Sequence, residues 1–144
     1  MKIKVAWIGK TKEPAIQALT DEYLKRISRY AAVEGMVLRD EAALLKMCEK
    51  ARSAPALVLL DSRGKQLSSE EFAGFVGECE QRSSQPLFAI GPADGFGEVA
   101  RKSASAVISM GKMTLPHELA RVVLLEQLYR AFTILKNHPY HSGH

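Results

Sequence analysis

The chain has 144 residues, 47% of them apolar and 25% charged, with a net charge of +4, which suits one domain over residues 1–144 with material for a real core. No apolar run approaches the ~20 residues of a bilayer-spanning helix, and the start, MKIKVAWIGK, lacks a signal-peptide core and cleavage site; a soluble cytoplasmic protein is expected, with no membrane partner. Cys48 and Cys79 stand far apart without a CxxC pattern and read as two buried free thiols in a reducing compartment.

Residues 2–8 alternate polar and apolar through Ile3, Val5 and Trp7, as a strand does. Pro14 opens a helix with Ile16, Leu19, Tyr23, Ile27 and Tyr30 at helical spacing. Residues 33–38 form a second strand and 41–52 a short helix. Residues 56–60 are an apolar run of the kind buried on both faces of a parallel sheet, and Asp61-Ser62-Arg63-Gly64-Lys65 reads as the turn after it. Ser68 with Glu71 makes a capping-box pattern that starts a helix to about Gln81. Residues 87–90 are another buried strand, leading into a loop with Gly91, Gly95 and Gly97. A short helix at 98–103, a strand at 106–110 and a loop at 111–115 follow. A long helix at 116–136 closes the series, with Pro116 in its first turn.

Strands alternating with helices predict an α/β domain with a mainly parallel sheet. Such sheets bind ligands beyond the carboxyl ends of their strands; here that means the turn after Leu60, the Gly91 loop and the loop from Met110 to Leu115. The last helix is apolar on more than one face: Leu119, Val122, Val123, Leu124, Leu125, Leu128, Tyr129, Phe132, Ile134 and Leu135 exceed a single stripe. An internal core position and a subunit interface both explain this, and the small chain favours a homodimer.

Charge gathers at the chain ends. Lys2, Lys4, Lys10 and Lys12 stand without an acid in the first twelve residues, residues 13–100 are net acidic, and Arg101, Lys102, Lys112, Arg121, Arg130 and Lys136 face only Glu118 and Glu126 in the rest. Brought together by the fold, the ends would form a patch suited to phosphate backbones; otherwise these are solvated surface charges.

The glycines fit neither GxGxxG nor GxxxxGK[ST], and no GxSxG or HExxH occurs. His138, His141 and His144 raise a zinc hypothesis, but Pro139 interrupts a helix there and no carboxylate follows Glu126, so no metal site is expected. Residues 138–144 carry little apolar surface beyond Tyr140, so little in them is expected to hold the core together.

The strings LFAIG (87–91), ADG (93–95), KMTLPH (112–117), RV (121–122), EQLYRAF (126–132) and NHPYH (137–141), in this order and spacing, resemble the RlmH family; VAWIGK and LLDSRGK add weaker likeness. The resemblance implies a single-domain SPOUT α/β knot, its C-terminal segment threaded through a preceding loop as a trefoil knot. It implies an S-adenosylmethionine-dependent methyltransferase acting on N3 of a pseudouridine in 23S rRNA of the assembled ribosome; a ribosome-binding module without catalysis is the alternative. The implied cofactor residues are Leu60, Gly91, Met110, Gly111, Lys112, Met113, Thr114 and Leu115. For catalysis, His141 is the candidate acceptor of the N3 proton, Tyr140 orients or stacks on the base, and Arg130 stabilises an imide anion or grips a phosphate. His117 reads as shaping the cofactor loop, not as catalytic. Pro92 stands where the family has a second glycine, the stretch 39–46 is short, and the tail ends Ser142-Gly143-His144.

Overall fold

In the computed structural model, which describes residues 1–50 and 56–143, strand and helix alternate from end to end. The order is β1 (Lys2–Ile8), α1 (Pro14–Ile27), β2 (Ala32–Leu38), α2 (Glu41–Lys50), β3 (Ala56–Gln66), α3 (Ser69–Gln81), β4 (Pro86–Ile90), α4 (Glu98–Ser103), β5 (Ala106–Ser109) and α5 (His117–Leu135), then a 3₁₀ turn at His141–Gly143. The five strands form one sheet in the order β2-β1-β4-β3-β5, and every pairing is parallel.

The period-two side-chain pattern explains why both faces are covered. Ile3, Val5, Trp7, Val58, Leu60, Phe88 and Ile90 pack against α1, α3 and α5. Ala6, Leu57, Leu59, Leu87 and Ala89 turn the other way, onto Leu44 of α2 and Phe96 and Ala100 at α4. Each large apolar side chain buried this way is worth about 1.5–3 kcal/mol. The capping box forms as the sequence suggests: Ser68 Oγ accepts from the Glu71 N–H at 3.0 Å, and Glu71 Oε1 accepts from the Ser68 N–H at 2.9 Å.

α5 lies between α1 and α3 on one face of the sheet. That position accounts for its many apolar faces within one chain: Leu125 and Leu128 are fully buried. Its first residue is His117, with Pro116 as the N-cap and not in the first turn. The first helix ends at Ile27, so Tyr30 lies beyond it, yet still stacks on Phe132 at 5.8 Å. Cys79 is buried and Cys48 only half-buried, both free; Arg52, expected to end the second helix, lies outside the described residues.

The largest departure from expectation follows Leu60. Residues 61–65 do not form a turn leading away from the sheet. β3 pairs with β5 through Leu60↔Ile108, runs outward for four residues, and returns to the same strand at Lys65↔Ile108 and Gln66↔Ser109. Gly64 makes the return possible, since a Cβ there would stand 2.6 Å from the Val107 carbonyl carbon and oxygen. Only glycine allows two backbones to approach so closely.

Candidate functional site

A cavity of about 310 Å³ opens where β3, β4 and β5 end, within the range of ~300–1,000 Å³ common for small-molecule sites. Its walls are Leu60 with the start of the excursion, the segment from Ile90 to Gly95, and the segment from Ser109 to Leu115; His117 and Ala120 of α5 close it. All eight residues that the family resemblance assigns to the cofactor line this one space. Ser109, 2% exposed, fixes the last wall: its hydroxyl donates to the Gly111 carbonyl at 3.0 Å and accepts from the Gly111 N–H at 3.2 Å. Gly91 leaves room for the Phe96 ring, which would stand 3.1 Å from a Cβ placed there. Pro92 is exposed on the rim, and its carbonyl accepts from the Gly95 N–H at 2.8 Å, which tightens the loop into a turn.

Two functional groups of the wall went unassigned in the sequence. Asp61 is buried at the end of the paired part of β3 and gathers four donors. Its Oδ1 accepts from the Arg63 N–H at 3.0 Å and Nε at 2.9 Å; its Oδ2 accepts from Arg63 Nη2 at 2.9 Å and the Phe96 N–H at 3.3 Å. The Arg63 side-chain bond, then the two backbone donors, hold this carboxyl far below the usual carboxylate range against the opposing effect of burial. Arg63 Nη2 also donates to the Phe96 carbonyl at 2.7 Å. Asp61 thus clamps the excursion to the Gly91 loop, joining two walls of the cavity. An aspartate ending an apolar run, with arginine two residues on, is the signal that could have revealed the clamp.

Arg130, Tyr140 and His141 form a second cluster. Arg130 donates to Glu126 Oε1 from Nε at 2.9 Å and from Nη2 at 2.5 Å, and its guanidinium lies 5.0 Å from the Tyr140 ring centroid. Tyr140 donates its hydroxyl to Glu126 Oε1 at 3.1 Å and packs edge-on against Tyr129 at 4.8 Å. Burial, then the hydrogen bond with Tyr23, pushes its phenol well above the ordinary value. The tail is therefore tied to the core more firmly than its composition suggests, through the Tyr140 ring and hydroxyl and the two ring nitrogens of His141.

His141 Nδ1 stands 2.9 Å from Arg130 Nη1, and Nε2 stands 2.7 Å from Glu70 Oε1. A guanidinium only donates and an ionised carboxylate only accepts, so the fitting tautomer has its proton on Nε2 and its lone pair aimed at Arg130. That hydrogen bond draws the Glu70 carboxyl down. In this arrangement the imidazole has no free lone pair for a substrate proton until Arg130 turns away.

None of the three residues lines the cavity. From His117 to Arg130 the helix advances thirteen residues, roughly 20 Å at its ordinary rise. α5 carries Arg130 away from the cavity loops, and the tail folds back along the helix onto Glu126 and onto Glu70 in the first turn of α3. The basic ends are divided as well. Lys10 and Lys12 come to the start of α5, Lys2 and Lys4 lie at the opposite end of β1, Arg121 is buried, and Arg130 is paired with Glu126.

Among the described residues, no three His, Cys, Asp or Glu side chains gather as a metal site would require. His138 Nδ1 accepts from the Tyr140 N–H at 3.2 Å, and His144 lies outside the described residues. No helix among them is long and apolar enough to cross a membrane.

The family described as "Predicted SPOUT methyltransferase" matches residues 1–141. The chain is 63% identical over 146 residues to a protein of Koribacter versatilis named "Ribosomal RNA large subunit methyltransferase H", all of each chain being covered. Among solved structures it resembles a probable methyltransferase of Bordetella pertussis, with a TM-score of 0.61 at 9% identity over 90% of this chain and 93% of that one. It also resembles the SpoU methyltransferase AviRb of Streptomyces viridochromogenes, solved with AdoMet, with a TM-score of 0.51 at 13% identity over 88% and 56% of the two chains. At these identities the structural likeness speaks for the fold.

Proposed function

The chain belongs to the SPOUT methyltransferase family, and on that premise we propose that it methylates N3 of a pseudouridine in 23S rRNA of the assembled ribosome, using S-adenosylmethionine. One observation carries the reading: eight residues singled out by resemblance, on three separate segments, line a single cavity at the strand ends. The name of the relative supports an rRNA of the large subunit as substrate. An enzyme of this kind works in the cytoplasm, where ribosomes are.

The cavity suits the cofactor. Its backbone loops offer donors and acceptors to an adenine edge, and Leu60, Met110 and Leu115 supply apolar walls. When bound, the cofactor supplies an electrophilic sulfonium methyl group, so the protein has chiefly to align the N3 nitrogen with it. For N3 to take up that methyl group, its proton would have to pass to a base of the protein. His141 takes that proton once Arg130 turns from Nδ1 to an imide oxygen or a phosphate, and Tyr140 packs against the base.

The separation of roughly 20 Å along α5 favours a homodimer, in which a second copy brings its tail to the cavity of the first. An apolar groove next to that cavity, lined by Leu67, Phe72, Met110 and Val123, gives such a copy a surface to cover. The trefoil knot belongs to this reading too; the double pairing of β3 with β5 around the excursion supports it.

The test is single-turnover transfer from methyl-labelled cofactor to ribosomes lacking the modification. Label at one pseudouridine N3 is the expected result. Ribosome binding without transfer would favour a non-catalytic ribosome-binding module.

A further inference from the structure

Arg121 is among the largest fully buried side chains, 1% exposed, and among the described residues no carboxylate lies within ion-pair distance of it. Its two hydrogen bonds go to the last residue of β1 and to the connection that leads from it to α1. Nη1 donates to Thr11 Oγ1 at 2.9 Å and Nη2 to the Ile8 carbonyl at 3.0 Å, while buried Nε has no partner. The guanidinium also lies 5.8 Å from the Trp7 ring. One turn of the same helix adds a second grip: Glu118 Oε1 accepts from the Lys12 N–H at 2.9 Å and the Glu13 N–H at 3.2 Å.

A buried guanidinium with no carboxylate in direct contact, and only Glu118 acting on it from a distance, is a costly way to fasten a loop. What the arrangement achieves is a fixed position for the loop. Lys10 and Lys12 project from it, both exposed and without an ion-pair partner among the described residues. His117 and Ala120 of the same helix turn line the cavity, and exposed Lys112 lies on the cavity's own loop. The loop that carries the two lysines is thus fastened to the same turns of α5 that line the cavity.

We propose that the loop of residues 9–12 is a phosphate-gripping lip of the RNA site, with Lys10 and Lys12 as its contacts and Arg121 as the positioning residue. Immobilised cations lose less entropy on meeting a phosphate than those on a free loop. The inference rests on rRNA being the substrate, and the experiment keeps the two apart.

Methyl transfer to unmodified ribosomes is measured across a salt series, with cofactor affinity followed by calorimetry. In Lys10→Gln/Lys12→Gln, KM for ribosomes should rise at least tenfold while cofactor affinity stays unchanged. The slope of log affinity against log salt should shrink by roughly 1.5, from about 0.7–0.9 per lost phosphate contact. Arg121→Lys should raise the same KM and shrink the same slope with both lysines still present, which a purely structural role would not do. If Arg121→Lys fails to fold, Thr11→Val carries the same expectation, because it removes only the hydroxyl that the guanidinium reaches. Wild-type KM and salt slope in the double-lysine variant would overturn the proposal. Absence of ribosome binding by the wild type, with cofactor still bound, would instead overturn the rRNA reading.

Discussion

The cavity and the tail cluster are built by opposite means. The cavity is mostly backbone: three loops at the ends of paired strands, held by Asp61, Ser109 and the small size of Gly64 and Gly91. The tail cluster is mostly side chain: Arg130, Glu126, Tyr140, His141 and Glu70 joined across α5, the tail and α3. Backbone sites tolerate many side chains but no displacement of their frame. Side-chain sites tolerate displacement of the frame but depend on each group. Substitutions in the first should therefore act through stability and binding, and in the second through the chemical step.

The largest expected effect belongs to the tail. His141→Ala should lower methyl transfer by roughly 10²–10⁴, the range for a positioned general base, with cofactor affinity unchanged; its residual activity should recover as rising pH ionises N3 unaided. Full activity across the pH series would remove His141 from catalysis. Deleting the residues after Asn137 is a poorer probe than composition suggests, because it also takes the Tyr140 ring off Tyr129.

Next comes the frame of the cavity. Gly64→Ala sets a methyl group against the Val107 backbone, which cannot yield as a side chain does, and should cost about 3 kcal/mol of stability by denaturant titration. Gly91→Val meets the Phe96 ring before it reaches the cavity. Through that ring it disturbs the Asp61 clamp, so cofactor affinity should fall at least tenfold, about 1.4 kcal/mol. Equal affinity in a folded variant would separate this wall from the cofactor.

The proposed dimer should come apart without loss of the fold. Leu125 and Leu128 are wholly buried in one chain, so charges there test folding alone. Val123→Asp, in the half-exposed groove, should convert a sedimenting dimer of 15.9 kDa chains to a folded monomer with intact cofactor binding and greatly reduced transfer. A wild-type monomer with full activity would rule out a shared site.

The smallest effect is in pH. The Asp61 carboxyl is held low in the fold, so its contribution to stability is fully present above the unfolded value of about 4 and is lost as pH falls below it. Denaturation midpoints should fall more steeply below about pH 4 in the wild type than in Asp61→Asn. Parallel curves would show that the clamp adds no acid sensitivity.

Much of this architecture is local and therefore legible in the sequence. Period-two runs such as residues 2–8, the Ser68–Glu71 cap and the apolar run at 56–60 each state their element within a few residues. Resemblance then picked out the cavity residues, because they fall in three short strings whose spacing survives along the chain. The excursion after Leu60 was not legible: the same five residues make an ordinary turn unless a second strand meets them, and only the contact of Gly64 with Val107 tells the two apart. The apolar excess of α5 left core and interface open, and the flanking positions of α1 and α3 decided how much of it one chain buries. Arg121 read as one more basic residue of the C-terminal end. Its burial against the β1–α1 loop depends on two segments more than a hundred residues apart. No local pattern encodes such a meeting; it exists only once the sheet has fixed where each helix begins.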